Sequence, residues 1–489
     1  MTFNRKFIGR TIATMLIIAG IAMAPSILCG FINGENYVAK NMSLVALCGI
    51  ATGIVVRRGT ENYRGNLKVG ESYLAVLLCW MTVIIFGMVP YLVSGKGYSF
   101  SESFFESAAS WTTTSAYVAH INTMPKSLVL WKAVSNWLGG IGIVLAAIQI
   151  LSGSGDAGQR LARAEVTGPT FEKSMPRIQD TARLTYRVYG TLSLIEFILL
   201  MLGRIPVFDA LINTLSSIST AGVMDYHGSV ATHFTPYVKT VLVIFSIIGS
   251  LNFLIFIRLS RRKFHEARND YEMKVFLRTI LVSTLFITLI LRVTDTYHGI
   301  FSSFINALVA TVSFGCTTGI SVENLMNWPP VTKAVLIILM IGGGCSNSTS
   351  GGLKVIRVVV FLKLIQRGIY KRIHPRAMKP IRIRGNAVSV ENAGSISTLS
   401  AFIMMSFALY FFSAVVLSLE NFDMVTVFTA PLALLTNTGT GFGMVSGGCY
   451  RAFSAAGKIY SGFLMLAGRL EIYALMVLFS PGFWKESRA

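Results

Sequence analysis

Long hydrophobic stretches alternate with short polar segments along nearly the whole chain. About ten of them reach the roughly 20 residues that an α-helix needs to cross ~30 Å of hydrocarbon. This pattern predicts an all-α polytopic membrane protein with about ten transmembrane helices, of which only the stretch at 331–361 is interrupted. The stretches lie near residues 11–32, 41–56, 72–94, 127–151, 184–203, 234–257, 275–291, 331–361, 396–418 and 457–480.

A shorter kind of apolar segment occurs four times, each time between two of the long stretches. With about ten to fifteen residues, these segments are too short to span a bilayer. Each runs into a turn of small residues. Membranes tolerate such irregular backbone only where it is buried in protein or lines a wet cavity. We therefore predict four re-entrant half-helices, each followed by a turn at membrane depth.

The four turns align on one serine and three glycines, and small, mostly hydroxyl-bearing residues precede them. A selective cation pore replaces hydration water with rings of backbone carbonyls. Glycine permits the unusual backbone dihedrals that such a ring needs, and the negative end of each half-helix dipole would face the cation. The pattern predicts an ion-binding filter made of Thr113, Thr114, Ser115 and Ala116; Thr220, Ala221, Gly222 and Val223; Thr317, Thr318, Gly319 and Ile320; and Asn437, Thr438, Gly439 and Thr440.

The interrupted stretch contains the sequence IGGGCSNSTSGGLKVIR at 341–357. Its run of Gly, Ser, Thr, Asn and Cys can neither hold a stable helix nor bury apolar surface. A simple helix kink is the alternative interpretation, but eleven consecutive residues without a large side chain exceed what a kink needs. The segment is predicted to be a loop inside the membrane.

Composition and charge agree with a membrane protein. The 489-residue chain is 53% hydrophobic and 13% charged, whereas soluble domains carry about 25% charged residues. The net charge of +21 does not indicate nucleic-acid binding, because Lys and Arg gather in every second loop, as the positive-inside rule describes. This asymmetry predicts that both termini are cytoplasmic, together with the clusters at 57–68, 160–187, 258–278 and 354–384.

The residues do not support an enzyme. The six cysteines lack paired spacing, and the six histidines form no ligand constellation. The sequence GSGDAG at 153–158 fits a dinucleotide pattern, but that motif needs a preceding strand, and here it follows a membrane helix.

The basic, then apolar N-terminus resembles a secretory signal with the cleavage-like sequence AMA at 22–24. It is predicted to be a retained helix, since Pro25 directly follows that sequence and the apolar run continues past it.

Three further motifs accompany the four turns: GGCSNSTSGGLKVIR at 343–357, GRLEIYALMVLFSP at 468–481 and MPRIQDTAR at 175–183. With them the chain resembles the Trk/Ktr/HKT superfamily of potassium transporters, most closely the bacterial TrkH type. The resemblance implies one pseudo-fourfold pore for K⁺ in a single chain, without a covalent cofactor. It also implies a homodimer in the lipid of the inner membrane and a cytoplasmic, nucleotide-binding regulatory ring of the TrkA type.

The same resemblance divides the chain into five parts. Two N-terminal transmembrane helices and a cytoplasmic loop precede four helix–re-entrant pore loop–helix repeats, and the third repeat contains the interrupted helix. The expected boundaries are 1–70 for the N-terminal part and 71–183, 184–273, 274–395 and 396–489 for the four pore repeats.

The resemblance also implies a gate beneath the filter. Arg469 would lie beside the intramembrane loop as an electrostatic barrier to cations, since a charge at membrane depth is functional by default. Snorkelling, or pairing with Glu471, is the structural alternative. The implied gate residues are Gly343, Gly344, Cys345, Ser346, Asn347, Ser348, Thr349, Ser350, Gly351, Gly352 and Arg469.

One departure from the family pattern concerns selectivity. The family usually has glycine at all four aligned positions, and here the first is Ser115. In the plant branch, serine at this position accompanies sodium permeation, so a sodium-permeable or poorly selective cation transporter is the alternative function. An ion-coupled carrier of an organic solute is a remoter alternative function, and coupling of transport to H⁺ or Na⁺ stays open.

Asp225 and Glu323 follow their turns and are candidates for concentrating cations at the outer mouth.

Overall fold

The computed structural model describes most of the chain. The described residues are 5–60, 69–142, 178–222, 234–297, 299–320, 325–374, 382–383, 386–387, 393–472 and 475.

Helices dominate the described residues. In chain order they are α1 Arg5–Ala22, α2 Ala24–Ile32, α3 Asn36–Arg58, α4 Val69–Leu92, α5 Phe100–Trp111, α6 Lys126–Ile141, α7 Ile178–Leu202, α8 Val207–Ser217, α9 Pro236–Ser250, α10 Phe253–Ser260, α11 Phe264–Arg268, α12 Tyr271–Val293, α13 Ile300–Gly315, α14 Pro330–Gly342, α15 Val355–Ile373, α16 Ala393–Ser418, α17 Met424–Leu435 and α18 Ala455–Arg469. Short 3₁₀ turns occupy Ile121–Thr123, Leu325–Asn327 and Gly443–Gly448. The hairpin β1 Arg382–Ile383 and β2 Asn386–Ala387 adds a small antiparallel pair within the basic loop.

Six helical segments among the described residues are long and apolar enough to cross a membrane. The first, Lys6–Ile32, covers α1 from its second residue and all of α2. A seventh span results if α9 and α10 are taken together, although they meet at an angle of 93°. The membrane-spanning helices have apolar outward faces. On α12, for example, Leu281, Leu285 and Leu289 are all more than half exposed. Such surfaces are suited to lipid contact.

The half-helices are α5, α8, α13 and α17, of 12, 11, 16 and 12 residues. Side chains cap the first and last of them. Ser99 and Glu102 form a capping box at the start of α5, and Asp423 accepts a hydrogen bond from the Thr426 backbone at the start of α17. The hydrogen bond from the Thr426 hydroxyl lowers the pKa of Asp423, so this cap stays ionised at neutral pH.

The largest core cluster surrounds α5 and the helices beside it. Trp80, Trp111 and Trp131 are among its fully buried side chains. Trp111 and Trp131 pack edge to face at 6.0 Å, and the Trp131 indole donates to the carbonyl of Gly87 over 3.1 Å. These contacts lock the first half-helix against its neighbours.

The interruption predicted for one helix recurs in the other repeats, and the prediction of continuous helices there was wrong. In the stretch at 127–151, helix α6 ends at Ile141 and Gly142 is not helical; the stretch at 234–257 bends by 93° after Ser250; and in the stretch at 457–480, helix α18 ends at Arg469. Hydropathy did not reveal these ends because the apolar character continues past them. Backbone conformation decides them instead, for example φ of 94° at Gly142.

Candidate ion-conduction site

Each half-helix ends in the same backbone conformation. The residue two positions before the aligned serine or glycine is left-handed in every turn, although none of these residues is glycine. The values of φ are 56° at Thr113, 54° at Thr220, 53° at Thr317 and 54° at Asn437. A left-handed residue after the last turn is a common way to end a helix. Its fourfold recurrence indicates one shared turn geometry.

The hydrogen bonds of the turns repeat as well. In every turn the N–H of the residue after the left-handed one returns to a carbonyl five residues earlier, within the half-helix. These bonds join Thr114 to Ala109 and Ala221 to Ser216 over 2.8 Å, and Thr318 to Ser313 and Thr438 to Ala433 over 2.9 Å. The half-helix ends are therefore closed by the same bond in all four units.

The aligned residues come together at one place, although some lie more than 300 positions apart in the chain. A Cβ atom added to Gly319 would lie 2.5 Å from the Cβ of Ser115, and one added to Gly439 would lie 2.3 Å from the Ser115 carbonyl carbon. On Gly222 the added atom would be 2.2 Å from the Ser115 hydroxyl. Only glycine leaves room for Ser115 in the three other turns.

Ser115 differs from the three glycines in conformation. Gly222, Gly319 and Gly439 have positive φ, whereas Ser115 does not. The Ser115 hydroxyl donates to the Gly319 carbonyl over 3.3 Å, and the Thr440 hydroxyl donates to the same oxygen over 3.0 Å. Two hydroxyl groups thus donate to one candidate filter carbonyl.

The loop at 343–354 lies directly against these turns. The Gly351 N–H donates to the Thr317 hydroxyl over 2.7 Å, and a Cβ atom on Gly351 would lie 2.0 Å from the Thr436 carbonyl oxygen. The Thr349 hydroxyl reaches the Ile218 carbonyl over 3.1 Å. The predicted gate loop therefore contacts the turns of repeats two, three and four.

The loop is anchored by hydrogen bonds along its length. The Cys345 N–H donates to the Ser250 carbonyl over 2.9 Å, and the Thr349 N–H donates to the Gly249 carbonyl over 3.1 Å. The same end of α9 thus binds the loop twice. Of the remaining predicted gate residues, Gly343 and Gly352 have positive φ, as does Asn347, and the Ser348 and Ser350 hydroxyls bond each other over 2.9 Å.

Arg469 connects the loop to the first repeat. One guanidinium nitrogen donates to the Thr349 carbonyl over 2.8 Å and to the Thr113 hydroxyl over 3.4 Å. The other donates to the Gly139 and Gly140 carbonyls, each over 2.6 Å. Within the first turn, the contact is made to Thr113, which precedes the aligned position. The predicted neighbourhood of Arg469 and the loop is present in the structure.

The alternative partner of Arg469, Glu471, forms a different ion pair. Glu471 pairs with Arg357 on α15, and the Arg357 guanidinium lies 4.3 Å from the centre of the Phe402 ring. Arg357 therefore links the helix after the loop to α16 and to the end of α18.

Sequence reasoning missed two charged residues at the loop. Glu272, at the start of α12, accepts the Ser346 N–H over 2.7 Å and the Ser346 hydroxyl over 2.6 Å. Lys354 is the first residue of the basic cluster at 354–384; it is 2% exposed, and its ammonium donates to the Ser350 carbonyl. Charge alone does not reveal this burial, because a buried lysine and a loop lysine look alike in a sequence.

A buried pair beside the first turn was also missed. Glu106 and Lys132 lie on α5 and α6, fully within the protein. The available signal was an acidic residue in the middle of a predicted half-helix at membrane depth. Glu196 was noted as one of few ionisable residues at membrane depth, and it bonds the Ser217 hydroxyl on α8.

Three candidate residues have no structural description. Val223 of the predicted filter, and Asp225 and Glu323 of the predicted outer mouth, lie outside the described residues. The other predicted filter residues belong to the four turns or to the non-helical residues directly after them.

Comparison with known proteins shows what kind of protein has this arrangement. The family model TrkH, described as a cation transport protein, matches residues 50–486. The chain belongs to the TrkH family. It is 30% identical over 441 residues to the "Trk system potassium uptake protein TrkH" of Salmonella typhimurium, covering 89% of this chain and 90% of the relative. A relative of the same name from Halomonas elongata is 29% identical and covers 98% of this chain and 99% of its own length.

The fold agrees with that membership. The crystal structure of the potassium transporter TrkH from Vibrio parahaemolyticus matches with a TM-score of 0.87, covering 98% of this chain and all of that one, at 24% identity. The prediction of an all-helical, multi-pass membrane protein is confirmed. TrkH-family membership also makes the chain a transport protein and not an enzyme.

Proposed function

We propose that this TrkH-family protein takes up K⁺ across the inner membrane through one channel-like pore. The repeated turn geometry carries the proposal: four left-handed residues and four equivalent hydrogen bonds surround one meeting point of the chain. Backbone oxygens of these turns would replace the hydration shell of the ion. The potassium assignment is supported by the names of the relatives.

The loop at 343–354 and Arg469 form the proposed gate. Arg469 brings a permanent positive charge to the inner side of the turns, and its bonds to Thr349 and to Gly139 join the loop to the first repeat. A cation leaving the filter would meet both the loop backbone and this charge. Opening then requires the loop to leave its hydrogen bonds with α9.

Membrane orientation and partners extend the same proposal. The basic clusters of alternate loops support cytoplasmic termini, and the membrane potential would drive cation entry with ~2.3 kcal/mol per charge per 100 mV. A homodimer and a nucleotide-binding ring of the TrkA type are proposed from the family resemblance. The basic loops are the candidate docking surfaces for that ring.

A sodium-permeable transporter is the second candidate, and the Ser115 contacts favour it. The Ser115 hydroxyl bonds the Gly319 carbonyl, so one candidate ligand is shared between an ion and a side chain. Fewer available carbonyls would weaken discrimination between K⁺ and Na⁺.

Uptake of radioactive rubidium by proteoliposomes tests these functions. K⁺, Na⁺ or an impermeant cation is added outside as competitor. Block by K⁺ and not by Na⁺ is expected for the potassium pore, and equal block by both ions identifies a general monovalent-cation pore. If the protein alone gives no uptake, addition of the cytoplasmic ring subunit must restore it; failure there as well contradicts the proposal.

A further inference from the structure

A buried ion pair supports the residues that follow the first turn. We call the segment Ala116–Ala119 the strand after Ser115, although among the described residues its only β-pairing is a single bridge from Tyr117 to Cys449. The Lys132 ammonium lies 2.6 Å from a Glu106 carboxylate oxygen, and the two side chains are 6% and 0% exposed. Removing one partner of such a pair leaves an uncompensated buried charge. The structure therefore couples the two residues strongly.

Both partners also bind the backbone of this strand. The second carboxylate oxygen of Glu106 accepts the N–H groups of Val118 over 2.7 Å and Ala119 over 3.0 Å. The Lys132 ammonium donates to the Ala116 carbonyl over 3.3 Å. The pair thus binds three of the four residues that directly follow Ser115. It accepts from two backbone N–H groups and donates to one backbone carbonyl.

The fourth repeat holds the remaining side of the strand. The Tyr117 N–H donates to the Gly448 carbonyl, and the Tyr450 N–H donates to the Tyr117 carbonyl, both over 2.8 Å. The Tyr450 hydroxyl also donates to the Gly439 carbonyl over 3.0 Å. The strand after Ser115 is therefore clamped between the ion pair and repeat four, and it has little freedom to adjust on its own.

Among the four half-helices, only that of the first repeat has an acidic residue at the position of Glu106. Nine residues before the aligned position stands Glu106 in the first repeat, but Asn213, Ala310 and Ala430 in the others. The first repeat is also the one with serine in place of glycine. The repeat with the unusual filter residue thus has a charged support that the other three lack at that place.

We propose that Glu106 and Lys132 are positioning residues that set the K⁺/Na⁺ selectivity of the pore. They hold the Ala116–Ala119 strand, and hence the Ser115 carbonyl, at a fixed distance from the other turns. Selectivity depends on the spacing and number of carbonyl ligands, so a strand released from the pair admits the smaller Na⁺ more readily. This inference rests on the proposed function of the turns as an ion filter.

Bi-ionic reversal potentials of the reconstituted full-length protein test the proposal. The near-isosteric variants Glu106→Gln and Lys132→Met, their double variant and Lys132→Arg are compared with the parent. Asp295→Asn is the matched control, because it breaks the exposed Arg292–Asp295 pair, which has a 2.9 Å separation. Thermal unfolding of each purified variant reports on folding separately.

The Na⁺/K⁺ permeability ratio is expected to rise about threefold or more in each single neutral variant. The double variant should resemble the singles because the residues act as one unit, and Lys132→Arg should retain most of the selectivity. An unchanged ratio in variants that fold overturns the proposal, while a parent protein that does not conduct K⁺ at all would contradict the proposed function instead. Failure of all four variants to fold would assign the pair to folding alone and would also overturn it.

Discussion

Arg469 donates a hydrogen bond to the backbone carbonyl of Thr349 over 2.8 Å. This contact joins the end of α18 to the loop that interrupts the third repeat, and the same guanidinium also binds two carbonyls of α6. One side chain therefore ties the loop to two separate helices.

Arg469→Gln should raise cation flux through the unstimulated protein severalfold. The shorter, neutral side chain loses most of these bonds and removes the positive charge from the path of the ion. Rubidium uptake by proteoliposomes measures the change. Arg451→Gln, at an exposed position after the fourth turn, is the control. Equal flux in Arg469→Gln and the parent would exclude Arg469 from the gate.

Gly351→Ala should displace the loop from the turns. The new Cβ would lie 2.0 Å from the Thr436 carbonyl oxygen and 3.0 Å from the Asn437 side chain, and backbone there cannot yield cheaply. We expect higher basal rubidium uptake and a lower unfolding temperature. Gly342→Ala is the matched control, because no heavy atom lies within 4 Å of its added Cβ. Identical uptake in the two variants would contradict the assigned loop position.

Ser115→Gly should sharpen the preference for K⁺. The substitution removes the hydroxyl from the Gly319 carbonyl and permits the positive φ of the other three turns. The Na⁺/K⁺ permeability ratio is expected to fall. Ser115→Ala separates the two causes, since it removes the hydroxyl and retains Cβ. If both variants keep the parental ratio, Ser115 does not set selectivity.

Glu272→Gln should loosen the loop at its other end. The carboxylate accepts two hydrogen bonds from Ser346, and bonds to a charged acceptor are stronger than those to an amide. The neighbouring Cys345 is fully buried and serves as a native reporter. Its labelling by a thiol reagent, located by peptide mass spectrometry, should become faster. Glu266→Gln, an exposed change in the preceding helix, should leave the labelling rate at the parental value.

Local sequence was sufficient to locate the turns and the loop. The small and hydroxyl-bearing residues at 113–116 and the Gly-rich run at 343–352 interrupt the apolar pattern locally, so their positions could be read without tertiary information. The helix ends at Ile141 and Ser250 could not, because apolar residues continue past both. At Ser250, the 93° bend lies where the loop donates hydrogen bonds to the Gly249 and Ser250 carbonyls, and hydropathy contains no information on such long-range contacts.

Charged partners could not be paired from the sequence for a related reason. Glu272 and Ser346 are 74 positions apart, and Glu106 and Lys132 are 26 positions apart on different helices. No short-range periodicity relates such residues. Lys354 shows that a charge is not always exposed. Its basic neighbours suggest a solvent-exposed loop, but its own side chain is buried.

All four turns belong to one polypeptide, and this distinguishes the molecule from an assembly of four identical subunits. In a symmetric tetramer, one codon change alters every quadrant of the ring at once. Here Ser115 stands where the other three turns have glycine, and Asn437 stands where the other three have threonine, so each difference is confined to one quadrant. Covalent continuity lets selection adjust the ring one quarter at a time, so intermediate degrees of ion discrimination are accessible through single substitutions.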